Sequence, residues 1–224
     1  MSNEEPNYYI PARPSEASRN VSLKSKVSNR GFLLNSTCLR WAGCESLLER
    51  DFLTILLAHP EAELFQEQPE PVTYVDAEGK TRTHTFDVLV FLKNGQRIAY
   101  DIKPEKLKVR SQIEATHRLI KKQHPNYAAK LVVRTDLEIS RVHVRNAELI
   151  LRSRTLWDEE AVEQLRQHLT SMHGVFRFAA LVALFDCEAD GFNAVLNLID
   201  SQELKPVKRG PINDNTELEI CKAA

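Results

Sequence analysis

The chain has 224 residues, a formal net charge of −1, and 42% hydrophobic and 27% charged residues. That length suits one or two domains with a full core, and the composition is that of an ordinary soluble globular protein. The near-neutral balance excludes a global field drawing the chain to nucleic acid or membrane, so any such binding has to come from local patches.

No apolar run reaches the roughly 18 residues that suggest a membrane span. The opening MSNEEPNYYIPARPSEASR has no apolar segment of a secretory signal, so the expectation is a cytoplasmic protein without a membrane partner. Cys38, Cys44, Cys187 and Cys221 are scattered without a CxxC pair, which argues against a cysteine zinc site and for reduced thiols. The histidines form no HExxH-like spacing; His117 and His124 share a helix face and read as solvated.

Residues 1–40 are rich in Pro, Ser, Asn and Arg, and read as an extended arm of modest positive charge, either a solvated tail or a DNA-contacting arm. Then ESLLERDFLTILLAH places Leu48, Phe52, Ile55 and Leu56 at helical spacing, with Pro60 as a stop. Residues 71–76, 81–92 and 96–103 read as three strands separated by DAEGK and KNG turns. EKLKVRSQIEATHRLIKKQH reads as one long amphipathic helix with Leu107, Ile113, Leu119 and Ile120 inward. A short strand at 129–135 and a helix RVHVRNAELILRSR follow. The order α-β-β-β-α-β, over residues 41–155, predicts a compact mixed α/β domain.

Residues 156–224 read as three helical segments, DEEAVEQLRQHLTSMH, VFRFAALVALFD and GFNAVLNLID, then a two-stranded hairpin from Glu203 to Ile220. That pattern fits a winged helix or a plain helical extension packed on the first domain.

The hairpin HTFDVLVFLKNGQRIAYDIKP carries Asp87, Asp101 and Lys103 within an otherwise apolar stretch. A two-residue Asn94-Gly95 turn sends the two aspartates to opposite faces, because a one-residue slip reverses every side chain. A three-residue Lys93-Asn94-Gly95 loop, with glycine left-handed, pairs Leu92 with Gln96, Leu89 with Ala99, Asp87 with Asp101 and Thr85 with Lys103. The carboxylates then face each other with Cβ atoms about 5 Å apart. Two such anions repel unless a cation intervenes. Lys103 offsets part of this and a divalent ion more, an oxygen-rich site of the kind Mg²⁺ or Mn²⁺ prefers. The competing reading is an edge pair facing solvent with Lys103 as a surface partner. Glu45 and Glu49, four apart on one face of the first helix, supply a third carboxylate able to lean over the sheet.

The phrases ESLLERDF, FQEQP, HTFDVLVFLKNG, DIKP and NAELILRSR, in that order over residues 45–154, resemble the PD-(D/E)xK nuclease superfamily and, within it, the TnsA family. That family provides the endonuclease subunit of heteromeric transposases in Tn-seven-like bacterial transposons, including CRISPR-associated ones. The tail PINDNTELEI is similar to the end of its short members. Phe86 stands where the superfamily usually has proline before the first aspartate.

The resemblance implies a nuclease domain at 41–155, with Glu49, Asp87 and Asp101 as ligands of Mg²⁺ or Mn²⁺ and Lys103 as the motif lysine. It also implies a metal contact from the Ile102 carbonyl and a supporting Gln68; Glu45 replaces Glu49 if the helix register shifts by a turn. The implied activity is cleavage of the 5′ ends of a transposon in double-stranded DNA. The implied partners are a TnsB-like transposase, which acts on the 3′ ends, and a TnsC-like AAA+ ATPase. A stand-alone restriction or repair nuclease and a non-catalytic DNA-binding assembly subunit are the alternatives.

Overall fold

Gly95 sets the register of the central sheet. In the computed structural model, which describes residues 10–18, 30–35 and 38–221, it has φ +80°, left-handed backbone that glycine adopts without a Cβ penalty. Lys93-Asn94-Gly95 is a three-residue loop between β6 (Val88–Leu92) and β7 (Arg97–Ile102), closed by the Leu92 N–H donating to the Gln96 carbonyl at 2.9 Å. Leu89 therefore faces Ala99 and Val88 faces Tyr100. The Asp87 N–H also donates to the Tyr100 carbonyl, at 3.0 Å. Two residues of one strand thus oppose one of the other, as in a β-bulge, at the point where the ladder ends.

The sheet has the order β3-β6-β7-β8, with β3 (Ala62–Glu67) and β8 (Lys130–Arg134) at its edges. The β3–β6 and β6–β7 pairs are antiparallel and β7–β8 is parallel. A parallel neighbour needs a crossover, supplied by α2 (Glu105–Lys108) and α3 (Ile113–Gln123). On one face Val88, Val90 and Ile102 pack with Phe52, Leu53 and Leu56 of α1 (Leu47–Leu57) and Val144 of α4 (Arg141–Thr155). On the other, Leu89 and Ala99 pack against Ile120 of α3.

This is a mixed α/β architecture, and its core order is α-β-β-β-α-β, but the first strand of the sheet is β3. The segment expected at 71–76 forms β4 (Val72–Val75), which pairs outside the sheet with β5 (Thr81–His84). The stretch expected as one strand over 81–92 is thus two, broken at residues 85–87. Phe86 is buried on the α3 face whereas Val88 and Val90 belong to the α1 face, so the alternation of apolar residues at 86, 88, 90 and 92, which in one unbroken strand would share a face, changes sides at the break. The long helix expected over 105–124 is also interrupted, at Gln112, whose φ is +52°.

Part of the stretch read as an extended arm is ordered against the core. β1 (Gly31–Asn35) and β2 (Arg40–Cys44) form an antiparallel hairpin, and Arg13 bridges to Arg40 alongside it. Arg40, counted in the sequence as an arm cation, is 1% exposed with Nη1 2.9 Å from Oε2 of the equally buried Glu67. It neutralises an internal carboxylate. Arg19, Lys24 and Lys26 lie outside the described residues.

After α4, α5 (Glu159–Thr170), α6 (Phe178–Val182) and α7 (Glu188–Asp200) pack with a three-stranded antiparallel sheet of order β10-β11-β9. Its strands are β9 (Val175–Arg177), β10 (Leu204–Pro206) and β11 (Glu217–Ile220), and the core holds Leu165, Phe178, Leu181, Val195 and Leu218. The segment expected as a helix from Val175 thus begins as a strand. Arg154 of α4 ties this unit to the first: it grips both carboxylate oxygens of Asp200 at 2.6–2.7 Å and donates to the Leu57 carbonyl at 2.7 Å. Among the described residues no helix is long and apolar enough to cross a membrane.

Candidate active site

Asp101 is the next-to-last residue of β7, on the face that looks at α3, and is 1% exposed. Ile113, His117 and Ile120, at helical spacing, form the buried side of α3, so His117 points back at the sheet. Its Nε2 lies 2.7 Å from Oδ2 of Asp101, and Nε2 of His84, at the end of β5, lies 2.8 Å from the same oxygen. Burial pushes the Asp101 carboxyl up, but hydrogen bonds from His117 and His84 outweigh it and hold the group below the usual carboxylate value. An ionised carboxylate only accepts, so both imidazoles present Nε2–H to it.

Asp87 sits in the break between β5 and β6. Its Oδ2 accepts from the Ile102 N–H at 2.6 Å, and Lys103 Nζ is 3.8 Å away. Burial raises the Asp87 carboxyl to about 7; the charges of Asp101 and Glu49 add to the rise, against Lys103 and the Ile102 N–H. Burial, more than the neighbouring charges, therefore sets this carboxylate apart.

Glu49 occupies the third position of α1, where Ser46 is the N-cap. Ser46 Oγ accepts from the Glu49 N–H at 3.1 Å and donates to Oε1 at 2.9 Å, and the Glu45 N–H donates to Oε2 at 2.7 Å: a variant of the capping box, in which the side chain reaches the N–H one residue before the N-cap. Burial raises the Glu49 carboxyl, and the two hydrogen bonds to its oxygens, from the Glu45 N–H and Ser46 Oγ, oppose the rise. Each oxygen accepts once in the cap, which leaves a lone pair on each for another ligand. Glu45 contributes its backbone to this cap.

Gln68, buried at φ +42°, holds Asp87 through the main chain: its N–H donates to the Asp87 carbonyl at 2.9 Å. Its own carbonyl accepts from the Ser18 N–H at 2.9 Å, so the N-terminal segment buttresses the site. Left-handed backbone is uncommon for a non-glycine residue and costs on the order of 1 kcal/mol or more. Ile102 closes β7, and the part of it engaged here is its N–H.

Glu49, Asp87 and Lys103 are within electrostatic reach of one another, and Asp101 adjoins Asp87. The one group of three metal-ligating side chains whose donor atoms all lie within 4.8 Å, among the described residues, is a different one: His84, Asp101 and His117. Glu49, Asp87 and Asp101 do not gather that closely. Neither any known protein-family model nor any curated protein matches the chain.

His84 and His117 are the site residues that sequence reasoning missed. The solvated reading of His117 is corrected by its 7% exposure. Its spacing from Ile113 and Ile120 carried the signal. For His84, two residues before Phe86 in HTFD, only the tertiary fold brings it to Asp101.

Proposed function

We propose that this chain is a metal-dependent DNA endonuclease of the PD-(D/E)xK type, a TnsA-like subunit that cuts the 5′ ends of a bacterial transposon. The observation that carries the reading is the state of Asp87. Asp87 is a buried carboxyl raised to about 7 chiefly by burial, with Lys103 3.8 Å away and the carboxylates of Asp101 and Glu49 near enough to act on it, three carboxylates to one lysine. These oxygen donors suit Mg²⁺ or Mn²⁺. The sheet order β3-β6-β7-β8 with helices on both faces supports the superfamily core, and the α5-β9-α6-α7-β10-β11 order supports a winged-helix-like unit.

Glu49, Asp87 and Asp101, whose donor atoms would have to draw closer than they stand here, would hold the ion, which would supply charge neutralisation at the scissile phosphate and acidify a bound water. Lys103, tethered near Asp87, orients that water and stabilises the anionic transition state. The Ile102 N–H keeps Asp87 aimed, and the imidazoles keep Asp101 ionised. Lys103, Lys106, Lys108 and Arg110 form a basic run next to the site and suit contact with the DNA backbone.

The C-terminal unit suits partner contact with the TnsB-like transposase or the TnsC-like ATPase. Its α7 carries Glu188, Asp190 and Asp200 and no Lys or Arg, unlike a helix that enters a DNA groove.

Reconstitution with the partner transposase and ATPase tests the reading. Asp87→Ala should assemble and join the 3′ ends while the 5′ strands stay attached to the donor. Long-read sequencing should then find cointegrates where the wild type gives simple insertions. Equal proportions of simple insertions from both proteins rule out 5′ cleavage at this site.

A further inference from the structure

The surroundings of Asp101 carry a second inference, which shares that residue with the nuclease reading but rests on two different partners. Two imidazole nitrogens converge on one carboxylate oxygen, at 2.8 Å from His84 and 2.7 Å from His117. The three residues come from β5, β7 and α3, elements fixed by separate packing contacts. Asp101 and His117 are buried, and the His84 side chain retains 16% exposure, which leaves one side open for entry. Phe86 sets the ring orientations: its centroid is 4.7 Å from His84, edge-on, and 5.4 Å from His117, with Tyr127 stacked behind it at 5.4 Å. The site is narrow, pre-aimed and walled by aromatic rings.

Such a donor set differs in kind from the oxygen-only group around Asp87. Two imidazoles and a carboxylate favour Zn²⁺ and Co²⁺ over Mg²⁺, which prefers oxygen and retains its waters. Three protein ligands and an open position match a zinc site that keeps one place for water.

We infer that Nε2 of His84, Nε2 of His117 and Oδ2 of Asp101 form a binding site for a borderline divalent ion of the Zn²⁺ class. In the ion-free chain the short N···O distances are hydrogen bonds. Around tetrahedral zinc with bonds of about 2.0–2.1 Å, neighbouring ligand atoms stand roughly 3.3 Å apart, so each imidazole nitrogen moves about 0.5 Å away from Oδ2 on binding. His84 borders the irregular stretch 85–87, where that movement meets least resistance. Each imidazole moves its proton from Nε2 to Nδ1, so a neutral ring stays neutral. The other oxygen of Asp101 takes no part in either imidazole contact.

The test is titration of the metal-free full-length protein with Co²⁺, read from its visible absorption, and with Zn²⁺ in competition with a chromophoric chelator, in millimolar Mg²⁺. The expected result is one equivalent bound and not displaced by Mg²⁺. His84→Ala and His117→Gln should each weaken binding by at least about 10–100-fold, the loss typical even of an outer-shell partner. His117→Gln retains a side-chain donor for Asp101, and near-UV circular dichroism verifies its fold. Asp87→Ala should bind as the wild type does. The inference is overturned by no binding to the folded wild type, by undiminished binding to either histidine variant, or by loss of binding in Asp87→Ala. A thiolate-to-cobalt charge-transfer band, placing the ion at a cysteine, overturns it too. No DNA and no cleavage enter this measurement, so its failure leaves the nuclease reading standing, and the reverse also holds.

Discussion

Asp87 and Asp101 stand at the same end of neighbouring strands, yet their surroundings push them in opposite directions. Both are buried, and burial alone would raise both. At Asp101 two imidazoles on one oxygen overcome it, and the group stays ionised. At Asp87 one backbone N–H and a lysine 3.8 Å away fall short, and the carboxyl rises to about 7. Hydrogen bonds delivered to the charged form, more than depth, separate the two. The chain keeps one carboxylate satisfied internally and leaves the other to be satisfied from outside.

The largest expected effect follows from the unsatisfied member. A carboxyl raised in the folded state contributes stability below its unfolded value near 3.9 and loses it as pH rises through the folded value. For Asp87 that window runs from about 4 to about 7, and the loss is on the order of a few kcal/mol. Metal-free wild type should therefore melt at a lower temperature at pH 8 than at pH 5. Asp87→Asn should flatten that slope and be the more stable protein at pH 8. Mg²⁺ should restore wild-type stability at pH 8 and leave the variant unchanged. A variant with the wild-type slope would mean that Asp87 is ionised without strain.

A smaller effect of opposite sign belongs to Asp101. Its lowered value contributes stability that is present above the unfolded carboxylate range and lost as pH falls through the folded value. His117→Ala removes one of its two donors and should destabilise the protein by about 2–3 kcal/mol at neutral pH, the typical worth of a hydrogen bond to a charged group. The deficit should shrink as pH falls through the lowered folded value of Asp101, below the usual carboxylate range, where the carboxyl protonates in both states. Urea melts of wild type and variant at pH 7 and across the acid range down to the lowest pH at which both fold measure it, and a deficit that never shrinks would assign the loss to packing alone.

How much of this contrast the sequence disclosed depends on the range of the interaction. The Gly95 loop and the pairing of Leu89 with Ala99 were readable because a left-handed glycine and strict alternation are local signals; the expected pairings of Asp87 with Asp101 and Thr85 with Lys103 do not form, because the ladder ends at Val88 and Tyr100. The break at 85–87 was not readable, since alternation continues through Phe86. That residue turns away because its ring fills the space between His84, His117 and Tyr127. β3 escaped notice because it is half polar and exposes Leu64 at 45%. Arg40 looked like an arm cation because its partner Glu67 lies 27 positions further on. Asp87, Asp101 and Lys103 stood out as charges in an apolar hairpin, while the histidines that distinguish the aspartates resembled surface residues until the helix register fixed one of them inward.

The smallest effect concerns Glu49, which lies between the two cases: burial raises it, and the Glu45 N–H and Ser46 Oγ partly restrain it. Ser46→Ala deletes a hydrogen-bond acceptor for the Glu49 N–H and a donor to Glu49 Oε1. N-cap losses of this kind cost about 1 kcal/mol, which in a chain of this size lowers the melting temperature by roughly 2–4 °C. Glu49→Gln keeps an acceptor at the same place but removes the charge. If Ser46 serves Glu49 chiefly by stabilising its ionised form, the two substitutions share one interaction and the double variant should lose less than the sum of the singles. A coupling of about 0.5 kcal/mol or more in that cycle, at pH 8, supports a cap that also keeps a carboxylate charged for the site. Strict additivity would reduce Ser46 to a helix cap and leave the Glu49 charge to be held by Lys103 and the Glu45 N–H.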